Sequence, residues 1–124
     1  MTISKSLTEF IGCNVDSIET LEILMLLQRA PDTFWTAVAI ESQLGMRSGV
    51  SGPRLDSLCE NGLIVRGFTA GGYRYSPGNE ALRSLVEELA TAYADSRAVV
   101  LNAVHSEHLD RLRAFADAFR MKSE

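Results

Sequence analysis

The chain has 124 residues, a length typical of one domain that buries a core of its own. Hydrophobic residues make up 46% of the chain and charged residues 23%, which excludes a disordered polar chain. The N-terminal stretch MTISKSLTEF lacks the apolar segment of a signal peptide. Cys13 and Cys59 stand apart, in neither a CxxC pair nor a metal-ligand spacing. These features predict a cytoplasmic protein with reduced thiols.

The charge is unevenly distributed along the chain. The net charge of −4 argues against a general nucleic-acid binder. Residues 1–45 carry two bases against six acids, whereas residues 46–78 carry four arginines against two acids. Positive charge is therefore concentrated in the middle of the chain.

The first strong helical pattern covers residues 17–30. Asp16 is the predicted N-cap, and Glu19 follows three residues later, as in a capping box. Apolar residues occupy so much of the helix surface that burial on most sides is expected. Ala30 precedes Pro31 and so ends the helix, because the residue before a proline disfavours helical angles.

A second helix is predicted over residues 37–44. Gly45 follows it at the C′ position, where a positive φ is tolerated. Trp35, just before the helix, is assigned to the core rather than to a ligand pocket. The expected inward side chains are Val38, Leu44 and either Ile40 or Ala39.

The third helix is expected to be short. Proline in a helix interior costs about 3 kcal/mol, so Pro53 must lie in the first turn. Ser51 is then the predicted N-cap, and the helix covers roughly residues 52–61. A β-hairpin follows, with strands at residues 63–69 and 73–76 joined across Gly71 and Gly72. One cross-strand aromatic pair is expected among Phe68, Tyr73 and Tyr75.

The last third of the chain predicts long helices. Neither glycine nor proline occurs from residue 79 to residue 124. An unbroken helix over residues 79–104 would be about 40 Å long, more than a small domain covers. We therefore expect a homodimer with two-fold symmetry, the commonest oligomer. The predicted dimer-interface residues are Leu89, Tyr93, Val100, Val104, Leu112, Phe115 and Phe119.

Catalytic and metal-binding patterns are weak. His105 and His108 have a helical spacing that suits a metal, but no third ligand lies nearby in the sequence. The sequence contains no nucleophile elbow, phosphate-binding loop or zinc-protease motif. Cys59 is interpreted as a small, half-buried apolar residue. We expect neither an enzyme nor a metal or other cofactor.

The order of helix, turn, helix and hairpin in residues 17–76 resembles the winged helix-turn-helix superfamily, in the bacterial regulator form of the MarR and PadR groups. The resemblance implies a mainly α fold with a small β-hairpin. A winged helix-turn-helix domain would cover residues 1–77, and a C-terminal helical dimerisation segment would cover residues 78–124. It also implies a dimeric transcription regulator whose third helix and wing bind double-stranded DNA. By position, the implied DNA contacts are Arg47, Ser48, Ser51, Arg54, Arg66, Tyr73 and Arg74.

An alternative function comes from another class, a winged helix that binds a protein of the transcription or signalling machinery. The acidic N-terminal third, the Gly-Pro interruption and the modest number of arginines favour it. Replacing Arg54 and Arg74 separates the two functions, because it should abolish DNA binding. The partner protein would bind either the long C-terminal helices or the face formed by the third helix and the hairpin. An interaction carried by Val100, Leu112 or Phe115 should survive the substitutions.

Overall fold

The computed structural model describes residues 3–67 and 71–122, with side chains as far as residue 118. The fold is mainly helical with one small antiparallel hairpin. Within the described residues, none of the helices combines the length and apolar character needed to cross a membrane. The elements in chain order are α1 (Lys5–Asn14), α2 (Ile18–Arg29), α3 (Ala37–Leu44), α4 (Ser51–Glu60), β1 (Ile64–Arg66), β2 (Tyr73–Tyr75), α5 (Glu80–Asp95) and α6 (Arg97–Lys122).

Helix α2 is the centre of the core, as its composition predicted. Seven of its twelve residues are buried, so little of its surface reaches solvent. Its N-cap is Ser17, whose hydroxyl accepts a hydrogen bond from the amide of Thr20. The prediction of Asp16 as N-cap is wrong. Asp16 lies one residue earlier and accepts a hydrogen bond from the Thr20 hydroxyl at 2.6 Å, so the helix start uses both polar side chains.

Helix α3 begins and ends where the sequence predicted. The Thr36 hydroxyl caps its first turn, and Gly45 ends it with a φ of 69°. Ile40 is fully buried, but Val38 is 74% exposed and does not face inward as expected. The eight-residue helix has one narrow inner face, and Val38 lies off it because two residues turn a helix by more than half a circle.

The hairpin pairs Ile64 with Tyr75 and Arg66 with Tyr73. Trp35 adds an isolated bridge to Tyr73 through two backbone hydrogen bonds of 2.8 Å. The Trp35 side chain is half-buried and packs against the core, which confirms its structural assignment. Phe68, a candidate for the aromatic pair, lies outside the described residues.

The predicted helix over residues 79–104 is interrupted. Ser96 leaves helical geometry with φ −147° and ψ 70°; its amide closes α5 and its carbonyl accepts the first hydrogen bonds of α6. Serine favours helix ends, since its side chain competes for backbone hydrogen bonds. The chain turns there, and α6 packs against α5 and α1.

This turn corrects part of the predicted dimer interface. Leu89, Val100 and Val104 are at most 2% exposed within the single chain, so they belong to its own core. Tyr93 is half-buried against the same core, with the Arg97 guanidinium 5.1 Å from its ring centre. Leu112 and Phe115 remain exposed, at 52% and 72%. The side chain of Phe119 lies outside the part of the chain that the structure describes.

The middle of α6 is held against the end of α1. Arg111 donates a hydrogen bond to the carbonyl of Gly12 at 2.6 Å, at the end of α1. Glu107 lies so close to Gly12 that an added Cβ there would be 2.7 Å from its carboxylate. Beyond Arg111, every described side chain up to residue 118 is exposed. The end of α6 therefore extends past the domain.

Candidate nucleic-acid interface

The segment between α3 and α4 presents a basic and a hydroxyl side chain to solvent. Arg47 and Ser48 are both exposed, and Gly49 follows them with a φ of 89°. The positive φ turns the chain sharply into α4 at a position where a residue with a side chain would be strained. The two predicted contact residues of this segment thus lie next to each other at the start of α4.

A buried carboxylate fixes this segment in place. Glu41 of α3 is 7% exposed, and its Oε2 accepts hydrogen bonds from the Ser51 hydroxyl at 2.6 Å and the Ser51 amide at 3.1 Å. The Gly49 amide donates to the same oxygen at 3.0 Å. Hydrogen bonds from the Ser51 hydroxyl, the Ser51 amide and the Gly49 amide lower the pKa of Glu41 below its usual value. Their combined effect is larger than that of burial, which raises the pKa.

The expected DNA contact from Ser51 requires correction. Its side chain is 0% exposed and its hydroxyl is directed at Glu41. Ser51 is also inside α4 rather than its N-cap, a role taken by Val50 without a side-chain hydrogen bond. A carboxylate from α3 supplies the missing cap, so the start of α4 is already occupied by an anion of the protein itself.

Arg54 donates hydrogen bonds to other residues of the protein. Its Nη1 donates to the Val50 carbonyl at 2.8 Å, and its Nε donates to the Ser17 hydroxyl at 3.3 Å. The side chain is half-buried. Arg54 therefore ties α4 to the start of α2. Fewer of its N–H groups are available to bind a ligand than in an arginine extended into solvent.

The outward face of α4 carries acidic side chains. Asp56 and Glu60 are exposed there. Arg66 of β1 forms an ion pair with Asp56 at 2.7 Å, and its guanidinium lies 5.4 Å from the ring centre of Tyr73. Both charged side chains are 58% exposed, so the pair contributes little to stability. It does hold Arg66 beside Tyr73, on the hairpin.

Arg74 of β2 stacks over Phe34. The guanidinium carbon is 5.2 Å from the ring centre, and Phe34 also packs beside Gly67 and Gly72. An added Cβ would be 3.1 Å from the Phe34 ring at Gly67 and 3.1 Å from the Phe34 Cβ at Gly72. The Arg74 Nε is buried with no hydrogen-bond partner among the described residues. The attraction between the guanidinium and the aromatic face holds Arg74 in place on the hairpin.

The predicted site residues thus divide into three groups. Arg47 and Ser48 are exposed before α4, while Arg66, Tyr73 and Arg74 are held on the hairpin by stacking. Ser51 and Arg54 face the protein. The sequence analysis missed the roles of Glu41, Asp56 and Phe34. Of these three roles, only that of Phe34 had a signal in the sequence. A large aromatic residue that precedes a strand paired with a hairpin often packs on that hairpin.

Two further candidates of the sequence analysis were Cys59 and a metal site. Cys59 is half-buried against the core, and burial raises the pKa of its thiol, which confirms its structural interpretation. Within residues 3–67 and 71–122, no group of three or more His, Cys, Asp and Glu side chains is placed to hold a metal ion. No protein family, curated protein sequence or solved structure matches the chain.

Proposed function

We propose that the chain is a transcription regulator that binds double-stranded DNA through a winged helix-turn-helix. In this assignment α2, α3 and α4 are the three helices, Trp35 contributes the short first strand, and the hairpin is the wing. The observation that carries the proposal is the position of three arginines, of which Arg47 and Arg66 are exposed and Arg74 is half-buried. They occur before α4 and on the hairpin that follows it, on one continuous unit.

The proposed DNA contacts differ from those that sequence position alone implied. Arg47 and Ser48 would bind phosphates at the start of α4, and Arg66, Tyr73 and Arg74 would bind the backbone from the hairpin. Ser51 acts indirectly, because it holds the start of α4 through Glu41. Arg54 likewise supports the geometry through Ser17 and Val50.

The acidic face of α4 limits how the duplex approaches. Asp56 and Glu60 repel phosphates, so the C-terminal half of α4 does not run along the backbone. The Asp56 charge is offset by Arg66, 2.7 Å away. We therefore expect modest affinity that depends mainly on phosphate contacts at the two ends of the unit.

The test compares DNA binding by two matched double variants. Fluorescence anisotropy with a mixed-sequence duplex should show that Arg47→Ala with Arg74→Ala weakens binding by about tenfold to a hundredfold. The control is Arg29→Ala with Arg83→Ala, which removes the same charge from exposed positions outside residues 46–76, the segment that carries the proposed contacts. Equal losses in both variants would mean that only net charge matters and would overturn the assigned surface.

A second function, a protein-interaction module, is favoured by one specific observation. The outward face of α4 is acidic, and the neighbouring helix α3 exposes Val38 at 74%. An exposed apolar residue on one helix and exposed carboxylates on the next suit a basic, amphipathic protein segment. In that case a Val38→Glu variant would lose its partner in a pull-down, whereas the Arg47→Ala, Arg74→Ala variant would retain it.

A further inference from the structure

Arg111 of α6 holds the connection between α1 and α2. Its Nη1 donates a hydrogen bond to the carbonyl of Gly12 at 2.6 Å, and its Nη2 donates to the carbonyl of Asp16 at 3.4 Å. Gly12 belongs to the last turn of α1, whereas Asp16 lies in the connection that leads to α2. One guanidinium of α6 therefore fixes the path by which the polypeptide enters α2.

The side chains at the start of α2 form an ordered set of hydrogen bonds. The Thr20 hydroxyl donates to the Asp16 carboxylate at 2.6 Å. Since a hydroxyl has one hydrogen, the 3.1 Å contact between the Ser17 and Thr20 hydroxyls is donated by Ser17. The Ser17 oxygen then accepts from the Thr20 amide and from Arg54 Nε, at 3.2 and 3.3 Å. The hydroxyl of Ser17 thus has every donor and acceptor position filled.

Arg54 extends these contacts from α2 into α4. Its Nη1 donates to the carbonyl of Val50 at 2.8 Å, immediately before the helix. The Val50 amide donates in turn to the carbonyl of Arg47 at 3.2 Å. Arg47 is one of the residues to which DNA contacts are assigned. The hydrogen bonds therefore connect α6 to the proposed DNA surface, and we call them the α6–α4 network.

We propose that Arg111 is a positioning residue for DNA binding, which acts on Arg47 and Ser48 through the α6–α4 network. The inference rests on the proposed function. Among the described residues, Arg111 donates hydrogen bonds to Gly12 and Asp16 only, so it belongs to the support of the surface and not to the surface itself.

The physical reason is that a bound duplex requires Arg47 and Ser48 in a fixed place. Without Arg111, the connection that carries Asp16 and Ser17 loses its hold on α6. Ser17 then fixes Arg54 less firmly, and the segment before α4 gains freedom. DNA binding must order that segment again, which lowers the affinity although no contact to DNA has been removed.

The test measures duplex binding by fluorescence anisotropy over a range of salt concentrations, with the same mixed-sequence duplex. Arg111→Ala should weaken binding by about threefold to tenfold at every salt concentration, with the slope of log affinity against log salt unchanged. Arg47→Ala removes a phosphate contact and should reduce the steepness of the slope by about 0.9. A similar reduction in Arg111→Ala would mean that Arg111 itself binds phosphate, and would overturn the proposal.

The matched control is Arg113→Ala. Arg113 lies on the same helix, is 78% exposed and pairs only with Asp110 of α6, at 4.0 Å, among the described residues. Its substitution removes the same charge without touching the α6–α4 network, so the affinity should stay within about twofold of wild type. Equal losses for Arg111→Ala and Arg113→Ala would show an effect of charge alone and would refute the positioning role.

A double-mutant cycle tests whether Arg111 acts through Arg54. In protein that already carries Arg54→Ala, the further change Arg111→Ala should alter the affinity by less than about twofold, because the network is already broken. Independent losses that multiply in the double variant would contradict the proposal.

Circular dichroism confirms that each variant is folded, and Arg111→Met, which keeps the apolar stem, replaces an Arg111→Ala protein that is not. A wild-type protein that binds no duplex at low salt would overturn the proposed function together with this inference. Duplex binding that neither substitution of Arg111 weakens would overturn this inference alone.

Discussion

The buried carboxylate of Glu41 accepts hydrogen bonds from both the hydroxyl and the backbone amide of Ser51, at 2.6 and 3.1 Å. One side chain of α3 therefore fixes the start of α4. The exposed residues Arg47 and Ser48 lie between the two helices, so their position depends on this contact. Buried Glu41 thus sets the geometry of the surface that is proposed to bind DNA.

Replacing Ser51 with alanine should destabilise the protein. The variant loses a buried hydrogen bond to a charged group, which corresponds to about 1.5–3 kcal/mol of unfolding free energy. Urea denaturation measures the change. Ser48→Ala is the matched control, because Ser48 is exposed three residues earlier and should change the free energy by less than about 0.5 kcal/mol. Equal effects of the two substitutions would contradict the assigned role of Ser51.

The same contact predicts a dependence on pH. Hydrogen bonds hold the pKa of Glu41 below 4.5 in the folded state, so the unfolded chain binds the proton more readily. The stabilisation from ionised Glu41 is present above pH 4.5 and is lost as the pH falls through its lower folded pKa. Urea denaturation of wild type and Glu41→Gln should therefore show a stability difference that shrinks on acidification. A difference that is constant from neutral pH to pH 3 would rule out this linkage.

A third prediction concerns the core formed by α5. Leu89 is 0% exposed in the single chain, so Leu89→Ala should lower the free energy of unfolding by about 2–5 kcal/mol. Val38→Ala provides the comparison, since that side chain is 74% exposed and its loss should cost less than about 0.5 kcal/mol. Both are measured at a fixed protein concentration. A small change in unfolding free energy for Leu89→Ala would contradict this burial and would place Leu89 at the surface of the single chain.

The elements that were predicted well have strong local signals. Gly45 ends α3, because a residue without a side chain readily adopts the positive φ that closes the helix. Pro53 limits where α4 begins, and the glycine pair with flanking β-formers predicts the hairpin. Such signals depend on neighbouring residues only, so they can be interpreted without knowledge of the fold.

The errors concern interactions between distant residues. Ser96 interrupts the long helix although neither glycine nor proline is present, because the turn lets Val100 and Val104 pack on α1 and α5. An apolar stripe has the same pattern whether it faces its own core or a second copy. Likewise, nothing near Glu41 in the sequence indicates that its partner lies ten residues later.

The measurement that tests the central claim most directly is the salt dependence of duplex binding by anisotropy. Phosphate contacts by Arg47, Arg66 and Arg74 predict a slope of log affinity against log salt of about −3 per subunit, because each neutralised phosphate contributes about −0.9. The Arg47→Ala, Arg74→Ala variant should reduce the slope to about −1. Absence of binding at low salt, or a slope unchanged in this variant, would contradict DNA binding through this surface.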